Sequence, residues 1–123
     1  MTIKCAKGFT LIELIVVMLI IGILASIALM QFLSYRERAY NATLQSDLRS
    51  VYAASMQFYI DHPSDPVITK DKLIEDGYVP SDDVEIDVED GSEAGLLITA
   101  SYPPGIGTPD IYQVDHAGRV SKR

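Results

Sequence analysis

The chain has 123 residues, a formal net charge of −7 and a single cysteine. That length fits one small domain with an attached segment. One cysteine excludes an intrachain disulfide, and the excess of acid leaves no basic stripe of the kind that holds nucleic acid, so no nucleic-acid partner is expected.

The charge is unevenly spread. Lys4 and Lys7 precede residue 9, Glu13 is the sole charge between Phe9 and Tyr35, and nearly all the acid lies beyond residue 60. A helix from Phe9 to Leu33 would rise about 37 Å, enough to cross a hydrocarbon core of about 30 Å. The preceding lysines put its N-terminus in the cytoplasm. A cleavable secretory signal would have a shorter apolar region ending at a small-x-small site. Ser26-Ile27-Ala28 offers a weak one, but the helical pattern runs through it, which favours retention. Cys5 precedes the apolar run instead of following one, so it reads as a free leader thiol and not as a lipidation site. Gly22 and Ser26, four apart with Ala25 beside them, would let helices approach closely in lipid; ordinary membrane-helix composition accounts for them equally well.

Glu13 is the anomaly. A lone buried carboxylate costs several kcal/mol unless it is paired or protonated. In the first turn, near the interface, it would instead favour the helix N-terminus by about 0.3–1 kcal/mol.

Lys7-Gly8-Phe9-Thr10-Leu11-Ile12-Glu13, followed by the long apolar helix, resembles the N-terminal signature of type IV pilins and type II secretion pseudopilins. The likeness extends over roughly residues 4–60. It implies an α+β fold, with a long N-terminal helix and a small antiparallel sheet as its head. Prepilin peptidase would cut between Gly8 and Phe9, and the new N-terminus at Phe9 would be methylated. Glu13 matches the family's characteristic glutamate. In a bundle of parallel, staggered helices it can meet the Phe9 ammonium of a neighbouring subunit and set the register, as buried polar groups do in coiled coils. Pairing of Phe9 and Glu13 within one chain, a turn apart, is the competing arrangement. Met30 stands where many members carry proline; methionine keeps the helix hydrogen bond that proline removes.

Further along, Leu44, Leu48, Val51, Tyr52, Ser55 and Phe58 recur at three- and four-residue spacing, while Arg36, Glu37, Arg38, Asn41, Gln45, Asp47 and Arg49 fill other faces. This predicts one helix from Phe9 to about Asp61, stopped by His62-Pro63. The aromatics Tyr35, Tyr40, Tyr52, Phe58 and Tyr59 read as core and contact residues. Thr69 is a predicted N-cap and Gly77 the residue past the end of a short helix. Val84–Glu89 alternates strictly and reads as a strand. Leu96–Tyr102, Ile111–Val114 and Arg119–Ser121 follow as three more, with a turn at Asp115–Gly118. The expected sheet core is Val84, Ile86, Val88, Leu96, Ile98, Tyr112 and Val114. It is thin, so the helix must complete it.

Asp82, Asp83, Glu85, Asp87, Glu89, Asp90 and Glu93 form a dense acidic run. An EF-hand loop counted from Glu85 has Asp90 at the sixth position and Gly91 one late, so the run reads as a solvated strand face and turn. His62 and His116 lack ligand partners at metal spacing. No metal, cofactor or catalytic residue is expected.

The sequence thus predicts a leader (1–8), a transmembrane or filament-core segment (9–35) and a pilin-like head (36–123). The expected function is that of a structural type IV pilus subunit, not an enzyme. It would sit in the inner membrane, contacting lipid and the assembly machinery, before joining a homopolymeric surface filament. The alternatives are a pseudopilin of a type II secretion or DNA-uptake system, found in a periplasmic pseudopilus, and a single-span membrane-anchored binding module.

Overall fold

No proline falls between Thr10 and Asp61, and the lone Gly22 does not break the pattern, so one helix can form. In the computed structural model, which describes residues 8–123, helix α1 spans Leu11–Asp61. The leader residues Lys4, Cys5 and Lys7 lie outside the described residues. The helix begins two residues later than expected, because Thr10 caps it and leaves Phe9 outside. Met30 lies within it, as expected for a residue that keeps its backbone donor. The chain divides into two units, Met1–Tyr35 and Arg36–Arg123.

In the first unit, every described side chain is exposed, including the whole apolar series from Leu11 to Leu33. This segment is long and apolar enough to cross a membrane, and none of it is buried in the chain's own fold.

The second unit starts from the amphipathic part of α1. Leu44, Leu48, Val51, Ser55, Phe58 and Tyr59 are buried, and the apolar five form one core with Ile68, Leu73, Val84, Ile86, Leu96, Ile98, Ala100, Tyr102 and Val114. Strands β1 (Glu85–Asp90), β2 (Leu97–Ser101), β3 (Tyr112–Asp115) and β4 (Val120–Lys122) form an antiparallel meander in that order. The register sets Ile86 opposite Ala100, Val88 opposite Ile98, Ile98 opposite Val114 and Val114 opposite Val120, so the apolar set lines one face. Each strand lies within a residue or two of its expected limits. Two expected core residues, Val88 and Tyr112, are only half-buried. Val88 belongs to an edge strand and precedes a register shift between Val88 and Asp90; edge positions lack a neighbour on one side.

Helix α2 (Lys70–Glu75) carries both expected caps. The Thr69 hydroxyl accepts from the Lys72 amide at 3.4 Å. At the other end the Gly77 amide donates to Ile74 O (3.0 Å) and the Tyr78 amide to Leu73 O (2.9 Å), the paired bonds of a Schellman motif. Gly77 sits at φ +98°, where a Cβ is strained even though nothing crowds it. Gly77→Ala is therefore expected to destabilise the head by about 1–2 kcal/mol, read from urea denaturation. An unchanged midpoint would show that the motif contributes nothing.

Candidate functional site

The N-terminal signature folds as a capping box. The Thr10 carbonyl accepts the first intrahelical bond, from the Leu14 amide at 3.2 Å. Glu13 Oε2 accepts from the Thr10 amide (2.9 Å) and from the Thr10 hydroxyl (2.8 Å), and the Glu13 amide donates to Thr10 Oγ1 at 3.3 Å. Thr-x-x-Glu at a helix start forms this reciprocal pair because each side chain satisfies an amide the helix leaves unpaired. Both Thr10 bonds fall on one carboxylate oxygen; among the described residues Oε1 accepts none. Phe9 and Gly8 precede the helix and are exposed, with open space around Gly8. Phe9, Ile12, Glu13, Val16 and Val17 together line one shallow, mostly apolar side of the helix start.

Gly22 and Ser26 lie one turn apart on the same exposed surface. The Ser26 hydroxyl donates to the Gly22 carbonyl at 2.8 Å. That back-bond satisfies the hydroxyl within its own helix, which suits an apolar surrounding, and nothing crowds Gly22.

In the head, polar side chains tie loops to α1. Asp47 was expected on an outward face but is buried, and this is the clearest departure from the sequence reading. It falls between Leu44 and Leu48 on the core stripe. Its two oxygens accept from the Ser81 amide (2.9 Å) and hydroxyl (2.7 Å). Asn41, also expected on an outward face, is half-buried. Its Oδ1 accepts from Thr108 Oγ1 at 2.9 Å, and its amide donates to Asp110 at 3.2 Å. Lys122 completes that group, 2.7 Å from Asp110. Thr108 and Ser81 carried no signal at all in the sequence, since both sit in irregular segments.

The acidic run is divided among different tasks. Glu85 and Asp87 lie on the exposed face of β1, Glu89 pairs with Arg123, and Asp90 closes a turn by accepting from the Ser92 amide (2.9 Å) and hydroxyl (2.7 Å). Among the described residues no three His, Cys, Asp or Glu side chains are grouped to hold a metal. His116 lies in the β3–β4 turn, where its carbonyl accepts from the Tyr52 hydroxyl at 3.3 Å, and His62 stacks on Phe58 at the end of α1.

These contacts define an acid dependence. The Ser92 amide holds the Asp90 carboxyl below its usual range, the Lys122 ammonium does so for Asp110, and the Arg119 amide for Asp115. A carboxyl with a lowered folded-state value favours folding in its ionised form. The contribution is complete above the unfolded value, near about pH 4, and disappears as pH falls through the lower folded values. At the alkaline end the sign reverses. Burial raises Tyr59 and Tyr78 to about 12, so their support for the fold is lost above about pH 10, where the unfolded chain ionises first. Urea midpoints across pH should therefore form a plateau falling at both ends; a flat acid limb would contradict the assigned carboxylate bonds.

Residues 3–29 match the family model described as the prokaryotic N-terminal methylation motif, so the chain carries that motif at its N-terminal end. The curated proteins it is similar to include type IV pilus components and a fimbrial protein. It is 42% identical over 53 residues to the type IV major pilin protein PilA of Myxococcus xanthus, covering 43% of this chain and 24% of that one. It is 44% identical over 52 residues to a fimbrial protein of Pseudomonas aeruginosa, covering 42% of this chain and 34% of the relative. With the type IV narrow pilus major component PilA5 of Thermus thermophilus the identity is 47% over 51 residues, 39% of this chain and 44% of the other. The chain thus spans less than half the length of each relative.

Proposed function

We propose that this chain is a structural subunit of a type IV pilus. It is anchored in the inner membrane by its apolar helix, cut by prepilin peptidase between Gly8 and Phe9, methylated at Phe9, and polymerised through that helix. The observation that carries this reading is the conjunction of two features. The signature Gly8-Phe9-Thr10-Leu11-Ile12-Glu13 stands at a helix start, and the apolar residues from Leu11 to Leu33 have no partner in their own fold. Such a surface must be covered by lipid or by copies of itself. The similar pilus and fimbrial proteins of Myxococcus, Pseudomonas and Thermus support the second cover.

Glu13 then has two successive partners. Before cleavage the carboxylate is occupied within the chain by Thr10. Cleavage creates an ammonium on Phe9, and the second carboxylate oxygen can receive the ammonium of a neighbouring copy. The pair fixes stagger between parallel helices; it is not a source of bulk stability. Gly22 and Ser26 supply the close-packed face. Membrane lipid, the peptidase, the inner-membrane assembly machinery and further copies of the chain are the partners this route needs. The role is structural and requires no cofactor or catalytic residue. Electron microscopy of sheared surface filaments, with the subunit identified by antibody labelling, tests the reading. Labelled filaments are expected; a chain found only in the membrane fraction, with no labelled filament, would overturn it.

A further inference from the structure

The segment between β2 and β3 is held at both ends. At its start, Tyr102 is buried and its ring meets that of Tyr40 on α1 edge to face at 5.0 Å. Near its end, Thr108 is buried and its hydroxyl donates to Asn41 at 2.9 Å. Between them the Ile106 amide closes a turn on the Pro103 carbonyl at 3.0 Å, with Gly105 at φ +89°. A proline followed by such a glycine is the pattern of a type II turn. Gly107, at φ +70°, passes so close to the Tyr102 ring that an added Cβ would overlap it. The loop therefore has a fixed shape, while Pro104 and Ile106 stay exposed.

This loop borders an open cleft of about 600 Å³, a volume in the range of small-ligand sites. Pro103, Pro104, Ile106 and Ile111 give it apolar walls, and the charged side chains lining it are both acids, Glu85 and Asp110. The register sets Glu85 opposite Ser101, and Ala100 faces Tyr112, so Ser101 falls beside Ile111. Glu85 and Ile111 thus lie two strand spacings apart, about 10 Å, with Ser101 between them. Asp110 is already engaged, by the Lys122 ammonium at 2.7 Å and the Asn41 amide at 3.2 Å. Glu85 is exposed and has no ion-pair partner among the described residues.

An apolar cleft with one uncompensated carboxylate selects an occupant that has both an apolar body and a positive charge. An anion would meet two carboxylates. A hard metal ion needs about six oxygens, and no three ligating side chains are grouped among the described residues. The cleft is also much smaller than the patch of about 20–30 residues that a protein partner covers. We propose that it is a binding site for a small aliphatic amine. The alkyl chain lies between Pro104, Ile106 and Ile111, and the ammonium meets the Glu85 carboxylate. The site is built within the head and does not depend on the filament reading.

The test is titration of the full chain, purified in detergent, with n-butylammonium, followed by saturation-transfer NMR of the probe. Saturable binding is expected. Ammonium, which lacks the apolar body, and n-butanol, which lacks the charge, should each bind at least about tenfold more weakly. Glu85→Gln should weaken binding by about tenfold or more, the size of one hydrogen bond to a charged group. Ile106→Ser should weaken it through the lost wall. Glu75→Gln removes an exposed acid of α2, outside the cleft, and should leave binding unchanged. Both cleft substitutions are at exposed positions, and unchanged urea midpoints verify that the head stays folded. Absence of saturable binding, ammonium binding as tightly as the probe, or equal affinity of Glu85→Gln and Glu75→Gln would overturn the site. Each of these results leaves the filament reading standing, since that reading does not use the cleft.

Discussion

Glu13→Gln is expected to leave cleavage after Gly8 intact while lowering incorporation into filaments by about tenfold or more. The substitution separates two roles that overlap in one side chain. Glutamine can still complete the capping box, since its carbonyl oxygen accepts from the Thr10 amide and hydroxyl as the carboxylate does. It carries no charge to meet a neighbour's Phe9 ammonium. A loss of about 1.4 kcal/mol at one contact is tenfold in association, and a filament repeats the contact at each subunit. Thr10→Ala is the complementary variant. It removes the cap, at a cost of about 0.5–2 kcal/mol in the first turn, and keeps the carboxylate. Incorporation, measured as labelled subunit in sheared filaments per subunit processed, should fall much further for Glu13→Gln than for Thr10→Ala. The opposite order would make the capping box the whole role of Glu13.

Leu48→Ala should be among the most damaging single changes in the head. Leu48 is fully buried on α1, inside a core shared with the sheet. Truncating a buried leucine costs about 2–5 kcal/mol, the lost transfer energy plus the cavity. Domains of this size are stable by about 5–15 kcal/mol, so much of the margin disappears. Arg49→Ala, at the exposed neighbour, should change stability by less than about 0.5 kcal/mol. The measurement is urea denaturation in detergent followed by near-ultraviolet tyrosine signals. Far-ultraviolet helix signal is less suitable, because the apolar part of α1 contributes to it without belonging to this core. Equal midpoints for the two variants would contradict the assignment of α1 to the core.

The relation of these residues to the sequence explains what could be read in advance. Three- and four-residue spacing marked Leu44, Leu48, Val51, Ser55 and Phe58, and strict alternation marked β1, because each depends on local period alone. The caps of α2 were legible for the same reason: Thr69 and Gly77 act on amides a few residues away. Asp47 was not legible. Its spacing fits the stripe, but its charge argues for solvent until a partner is known, and Ser81 lies 34 residues further along. Asn41 is the same case, with partners 67 and 69 residues away. At the N-terminal site the motif marked Gly8, Phe9 and Glu13 and the composition marked Gly22 and Ser26. The shared oxygen of Glu13, which leaves the other uncommitted, became visible only with the helix start in place. Polar side chains that pin distant loops, and the division of one carboxylate between two tasks, are tertiary facts without a local period.

Mass spectrometry of the protein from its native host tests the proposed function most directly. A mature N-terminus at methylated Phe9 is the predicted result. An intact Met1, or a cut beyond Ala28, would contradict it.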